Sequence, residues 1–192
     1  MRWFTLMLVI ATATVAGADS LSEQEQTAIQ RAAEHAAASV VQIQTVGGLE
    51  KIGRVLGNAG ATSGVVASED GHIISSAFNF ITQPASIIVT LPDGSKHAAR
   101  IVSRDRARML VLLKIDADQP LLEPDVVPRD ALRVGQWAIA VGKTYDPATP
   151  NISVGIVSAT NRIWGRAIQT DAKVSPVNYG GALVDIRIPC ET

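Results

Sequence analysis

The chain of 192 residues carries 17 basic and 18 acidic side chains, so it lacks the excess of positive charge that favours binding to nucleic acid or to an anionic membrane surface. Its length allows one domain or two small subdomains. Because Cys190 is the single cysteine, no internal disulfide can form, and packing must stabilise the fold. Cys190 is either free or paired between chains.

Residues 1–18 have the composition of a secretory signal peptide. An apolar stretch from Trp3 to Ile10 follows one arginine, and Ala16-Gly17-Ala18 supplies the small residues of a cleavage site. The apolar stretch is shorter than a helix that spans a bilayer. We therefore expect a secreted or periplasmic chain that is cleaved near Ala18 and has no membrane span after cleavage. A short membrane anchor is the alternative.

The next segment, residues 19–38, predicts a helix. Ser22 followed by Glu25 resembles a capping box, and alanine is dense in the residues after it. From Ser39 the chain changes to short runs rich in valine and isoleucine, separated by turn residues such as Pro92-Asp93-Gly94. Many short strands at this spacing are typical of an all-β barrel or sandwich.

Three prolines divide the strands into two groups. Pro120, Pro124 and Pro128 exclude a central strand from residues 118–130, because proline cannot donate a ladder hydrogen bond. We predict a linker there, between a first β-barrel over residues 39–117 and a second over residues 131–192.

Several motifs resemble the HtrA/DegP family of trypsin-like serine proteases, and they come in the family's order and spacing. The resemblance extends from about Ser39 to Ile186 and implies a chymotrypsin-like double β-barrel with a site in the cleft between the barrels. It also implies a second barrel that is truncated at its C-terminal end, with no PDZ domain after it. The motifs are SGVVASEDGHIISSA, IIVTLPDGSKHAARIVSRD, LVLLKID, LRVGQWAIAVG, SVGIVSATNR and IQTDAKVSPVNYGGALVD.

The resemblance matches three positions to the family's catalytic histidine, aspartate and serine. These positions hold Phe78, Met109 and Tyr179. Phenylalanine and methionine carry no titratable proton, and the tyrosine ring puts its hydroxyl too far out to replace a serine nucleophile. Taken singly, Phe78 and Met109 would be ordinary core side chains. Tyr179, taken singly, would be a partly exposed packing residue, and only the joint occurrence of the three residues at the three catalytic positions indicates a degenerate triad.

The turn around Tyr179 carries the remaining positions that the resemblance identifies. The family's oxyanion hole uses two backbone amides, which here would belong to Val177 and Tyr179. Valine resists the backbone angles that the family's glycine adopts, so the hole is also expected to be lost. Asn178, Gly180 and Gly181 are interpreted as retained turn architecture.

No cofactor or metal is predicted. His35, His72 and His97 are far apart in the sequence and share no ligand spacing. His72 and His97 are expected to be solvent-facing strand residues. Ser63 and Ser175 have no histidine nearby in their motifs, which argues against a relocated nucleophile. Asp171 is interpreted as a turn carboxylate rather than a wall of the cleft.

The sequence therefore predicts a secreted homologue of HtrA/DegP-type serine proteases that is catalytically inactive and binds a peptide or an unfolded protein. Two alternatives stay open: an active serine endopeptidase with a rearranged site, and a truncated, nonfunctional protease fragment. A homo-oligomer is a further expectation from the resemblance, and no nucleic-acid partner is expected.

Overall fold

The computed structural model describes residues 18–47, 51–52, 55–56, 61–81, 84–165, 167–175 and 178–187. The predicted signal peptide up to residue 17, Val177 and Cys190 lie outside the described residues. The elements are α1 (Ala18–Ala37), β1 (Val40–Val46), β2 (Lys51–Ile52), β3 (Val55–Leu56), β4 (Thr62–Ser68), β5 (His72–Ser76), a 3₁₀ turn (Ala77–Phe80), β6 (Ser86–Thr90), β7 (Lys96–Asp105), β8 (Leu110–Ile115), a second 3₁₀ turn (Arg129–Ala131), β9 (Trp137–Gly142), β10 (Asn151–Asn161), α2 (Arg162–Gly165), β11 (Ala167–Thr170) and β12 (Ala182–Val184).

Six antiparallel strands close the first barrel in the order β1-β4-β5-β8-β7-β6. β1 completes the closure because it pairs with β4 on one side and with β6 on the other. β8 shows the period of two that a half-buried strand requires: Val111, Leu113 and Ile115 point into the barrel, and the side chains between them are more exposed. Phe80 from the first 3₁₀ turn is fully buried in the same core.

The second group of strands forms a four-stranded sheet in the order β11-β10-β9-β12. Its β9 is buried throughout its length except at Trp137. Ile139 and Val141 of β9 pack with Val40 of β1 and with alanines of α1 into a second apolar cluster. Small alanine side chains let the helix backbone approach the sheet closely. Within the described residues, β12 pairs on one side only, with β9.

The predicted fold class is confirmed: the chain is mostly β, with one closed barrel, a second half-barrel and an N-terminal helix. Residues 116–128 contain neither helix nor strand. They cross from β8 to the second sheet and contact the first barrel and the N-terminal helix, because Leu121 packs against the first core and Asp125 bonds to His35 of α1 at 2.9 Å. In the part of the chain that the structure describes, none of the helices has the length and apolar character needed to cross a bilayer.

Candidate functional site

Phe78 lies in the 3₁₀ turn that follows β5. Ser76 precedes this turn, and its hydroxyl accepts the N–H of Phe78 at 3.3 Å. Two residues further on, Phe80 turns into the first barrel and is fully buried. Phe78, two residues before Phe80 in the same turn, faces outward instead, and its side chain is 50% exposed.

Tyr179 lies in a tight turn before β12. Asn178 donates its N–H to the carbonyl of Ser175 at 2.9 Å, and Gly181 donates to the carbonyl of Asn178 at 3.1 Å. The hydroxyl of Thr62, at the start of β4, donates to the carbonyl of Tyr179 at 2.7 Å. The turn of the second sheet is thus bonded directly to the first barrel.

The rings of Phe78 and Tyr179 contact each other edge to face. Their centroids are 5.5 Å apart and their planes meet at 86°. Such a pair contributes about 0.5–1.5 kcal/mol beyond the area it buries. The two predicted positions are therefore adjacent, although about 100 residues separate them in the sequence.

Met109 is joined to the same region through its backbone. It ends the turn between β7 and β8 with a left-handed φ of 55°, and its carbonyl accepts the N–H of Ala77 at 2.8 Å. Its side chain is 47% exposed. The simple expectation that Phe78 and Met109 are core residues is wrong, because both lie at the surface beside the junction of the two strand groups.

Gly180 and Gly181 are required by close contacts on two sides. Gly180 has a φ of 87°, and a Cβ there would lie 2.4 Å from the carbonyl oxygen of Ser63 and from the hydroxyl of Ser75. A Cβ on Gly181 would lie 2.1 Å from the carbonyl oxygen of Val141. The two glycines let the turn fit between the first barrel and β9.

A seam of buried polar groups runs beside this turn. Ser63 Oγ accepts the N–H of Lys143 at 2.9 Å, and Ser75 donates to the carbonyl of Ser63 at 2.7 Å. Gln42 donates to the carbonyl of Thr144 at 2.8 Å. These bonds satisfy groups that would otherwise be buried without partners. Burial lowers the pKa of Lys143, because removing the ammonium group from water disfavours its charged form.

The three histidines form their hydrogen bonds with groups other than Phe78 and Tyr179. His35 bonds to Asp125. His72 is half-buried, and its Nδ1 lies 2.9 Å from both Asp70 Oδ1 and Ser68 Oγ. Because the carboxylate and the hydroxyl meet the same ring nitrogen, this cluster is not a proton relay, in which each would need its own nitrogen.

His97 lies in a second cluster that sequence reasoning missed. Its Nε2 is 3.1 Å from Ser95 Oγ and its Nδ1 is 3.1 Å from the carbonyl of Asp116. Ser95 donates its hydroxyl to Asp93 at 2.7 Å, and this hydrogen bond lowers the pKa of Asp93. The hydroxyl proton is therefore held by a carboxylate, and the cluster stabilises the turn between β6 and β7. The only sequence feature that indicates this cluster is the run Asp93-Gly94-Ser95-Lys96-His97, in which the three interacting side chains are two residues apart.

The profile of the trypsin-like peptidase domain family matches residues 62–187, which is more than half of the chain. The chain belongs to this family. The resemblance to HtrA/DegP proteases is confirmed by its relatives. A probable periplasmic serine endoprotease DegP-like from Chlamydia trachomatis is 35% identical over 132 residues, covering 65% of this chain and 26% of the relative.

Two further relatives have similar coverage. A protein of the same name from Halomonas elongata is 35% identical over 130 residues, covering 65% of this chain and 27% of the relative. Protease Do-like 8, chloroplastic, from Arabidopsis thaliana is 33% identical over 149 residues, covering 67% of this chain and 33% of the relative. The chain thus spans about a quarter to a third of the length of the curated relatives it matches.

The remaining predicted residues of this trypsin-like domain lie as follows. Ser63 is fully buried with its hydroxyl already engaged, and Ser175 is exposed at the turn before Asn178. Asp171 accepts the N–H of Ile156 at 2.6 Å and so ties the end of β11 to β10. Across the described residues, no group of three or more His, Cys, Asp or Glu side chains is placed to hold a metal ion.

Proposed function

We propose that this trypsin-like domain does not hydrolyse peptide bonds and that it binds an extended peptide or an unfolded protein outside the cytoplasm. The contact between Phe78 and Tyr179 carries the proposal. A serine protease needs the imidazole of a histidine in hydrogen-bond contact with the serine hydroxyl. Here the residues that the resemblance matches to that histidine and serine are neighbours, but they bring two aromatic rings together without a base or an activated nucleophile.

Exposed apolar side chains around this pair favour a binding role. Ser76 of β5 faces Leu110 of β8, and Ile74 lies two residues before Ser76 on the same face. We call the group Ile74, Phe78, Met109, Leu110 and Tyr179 the cleft patch. Four of its members are large exposed apolar residues. Grouped exposed apolar side chains are typical of interaction sites, and an extended peptide would bury them with its own apolar side chains.

The location outside the cytoplasm is supported by the signal-like residues 1–18 and by the word periplasmic in the names of relatives. N-terminal sequencing of the exported chain should find Asp19 at or near the start, because Ala16 and Ala18 are the small residues that a signal peptidase reads. Recovery of the uncleaved chain in a membrane fraction would instead support an anchor.

Two assays test the absence of hydrolysis. The purified chain should not cleave unfolded casein, and a fluorophosphonate probe should leave it unlabelled, since this probe needs an activated serine. Labelling that maps to a single serine would overturn the proposal in favour of a rearranged active site.

A binding assay tests the cleft patch separately. Labelled unfolded casein should bind the wild-type chain and should bind the double variant Phe78→Ser, Met109→Ser more weakly. Leu21→Ser is the control, because Leu21 is a large apolar residue on α1 that is also exposed, to 70%. Equal affinity for the double variant and the control would show that the cleft patch is not the binding site.

Restoring the three side chains should give little activity. In the triple variant Phe78→His, Met109→Asp, Tyr179→Ser, valine is kept at position 177, which the resemblance matches to the oxyanion-hole glycine of the family. One missing oxyanion donor costs roughly 10²–10³ in turnover. Casein cleavage by this variant should be compared with the variant that also carries Val177→Gly. Robust turnover without the fourth change would contradict the expected effect of Val177.

A further inference from the structure

The hairpin between β10 and β11 ends in an exposed aromatic tip. Its turn contains Ile163 (φ 50°, ψ 60°) and Trp164 (φ 52°, ψ 42°), both left-handed. This conformation is disfavoured for side chains with a Cβ, above all for β-branched isoleucine. Trp164 is nevertheless 92% exposed and Ile163 64% exposed. The backbone therefore holds two large apolar side chains away from the rest of the chain.

Positively charged side chains lie beside the tip. Arg162 belongs to the turn itself, and Arg129 lies beside Gly165 and bonds to the side chain of Asn161. Arg133 is close to Arg129 along the chain and bonds to the carbonyl of Asp130. Among the described residues, Arg162 and Arg129 therefore give the tip a basic character.

An apolar cavity of about 530 Å³ opens on the second sheet. α1, the crossing segment 122–127, β9 and β12 enclose it, and small side chains such as Ala36, Ala138 and Ala182 form its walls. Its charged lining consists of three carboxylates, Glu123, Asp125 and Asp185, against the guanidinium of Arg187, so negative charge is in excess there, although Asp125 bonds to His35 and Asp185 pairs with Arg187. Pockets of about 300–1,000 Å³ accept drug-sized groups, so the cavity has room for an indole ring with an adjacent aliphatic side chain.

We propose that the tip and the cavity meet in a symmetric dimer of this chain, in which Trp164 and Ile163 of each copy enter the cavity of the other. The basic surroundings of the tip complement the acidic lining of the cavity. The cavity is also lined by Val157 and Ile168, which belong to the two strands that carry the tip. Tip and cavity therefore lie on the same part of the sheet, and a twofold axis can exchange them reciprocally.

This contact goes beyond the proposed peptide binding, because it uses none of the cleft-patch residues. It joins a protruding tryptophan, with arginines beside it, to an apolar pocket, and tryptophan and arginine are the residues that are enriched in interface hot spots. Trp164 is the residue on which the dimer should depend most. The Trp164 ring alone would bury about 150–250 Å².

Sedimentation equilibrium of the purified chain tests the dimer. The wild type should dimerise, and Trp164→Ala should weaken the association by at least about thirtyfold, as for a hot-spot residue. Tyr145→Ala is the matched control: Tyr145 is 77% exposed and follows the opposite end of the β9–β10 ladder from the tip. It should leave the association unchanged.

Two more variants separate the cavity from the tip. Ala36→Trp fills the cavity, and circular dichroism checks that this variant still folds. Arg162→Glu sets a carboxylate against the acidic lining and leaves the core untouched. Both should weaken the dimer. Mixing Trp164→Ala with Ala36→Trp should restore association, because one intact tip then meets one intact cavity. A monomeric wild type at high micromolar concentration, or a dimer no weaker in Trp164→Ala than in Tyr145→Ala, would overturn the proposal.

Discussion

Replacing Gly180 by alanine should destabilise the fold much more than replacing Gly94, although the two glycines have φ values of 87° and 86°. A left-handed residue with a Cβ costs about 1–2 kcal/mol, and this cost is common to both variants. Alanine also restricts the unfolded chain, which offsets about 0.4–1 kcal/mol in both. The difference between the variants therefore reports the surroundings of the new methyl group.

The surroundings differ sharply. A Cβ on Gly94 meets nothing within 4 Å, whereas a Cβ on Gly180 would lie 2.4 Å from Ser63 O and from Ser75 Oγ. Overpacking of this kind costs about 1–3 kcal/mol. Moving Ser75 also breaks its buried hydrogen bond to Ser63, which costs about 1–3 kcal/mol more. We expect Gly180→Ala to lose at least about 2 kcal/mol more than Gly94→Ala, a large share of a typical total of roughly 5–15 kcal/mol.

Urea unfolding followed by far-ultraviolet circular dichroism measures both variants beside the wild type. The comparison is valid where the three transitions have the same dependence on urea concentration. If Gly180→Ala and Gly94→Ala lose the same free energy of unfolding, the turn before β12 is not packed against β4 and β5 as described. The contact between Phe78 and Tyr179 would then lose its structural basis as well.

Three further predictions use the same assay. Phe80→Ala removes a fully buried ring and should cost about 3–5 kcal/mol. Phe78→Ala should cost less, because half of this ring is already exposed and its edge-to-face contact adds only about 0.5–1.5 kcal/mol to its partial burial. Equal losses would refute the inward and outward assignment. Ser63→Ala should cost about 1–3 kcal/mol because it leaves the buried N–H of Lys143 without its acceptor, and an unchanged urea midpoint would contradict this. Burial lowers the pKa of Lys143, so between that lowered pKa and about 10.5 the unfolded chain binds more protons than the folded chain. The stability of the wild type should therefore rise with pH across this window relative to that of Lys143→Met. A difference in stability between the two proteins that does not change with pH would refute the effect of burial.

The barrel strands could be predicted from the sequence because their burial pattern is local. Val111, Leu113 and Ile115 alternate with more exposed residues, and this period of two can be read without any partner strand. The closure of the barrel could not be predicted in this way. β1 pairs with β6 across more than 40 residues, and no local pattern encodes which strand meets which.

The candidate site was predictable only through the family resemblance. Nothing in the composition around Phe78 or Tyr179 indicates that their rings are 5.5 Å apart, since the contact depends on how the turn before β12 packs against the first barrel. The hairpin tip was missed for a different reason. Asn161 and Gly165 indicate a turn, but Ile163 and Trp164 between them favour strands, so sequence patterns do not predict a left-handed backbone at these two residues.

The packing of α1 has a consequence for synthesis. The helix lies against Ile139 and Val141, which are made about 100 residues after Ala37. At the usual rate of about 5–20 residues per second, the part of the helix that β9 covers stays exposed for roughly 5–20 s, while Val40 of the first barrel can already cover the rest. The first barrel has all six of its strands once Ile115 has been made, whereas α1 still waits for β9. A nascent chain of intermediate length therefore has every strand of the first barrel but a helix whose alanine face is only partly covered, which is a state that a chaperone can recognise.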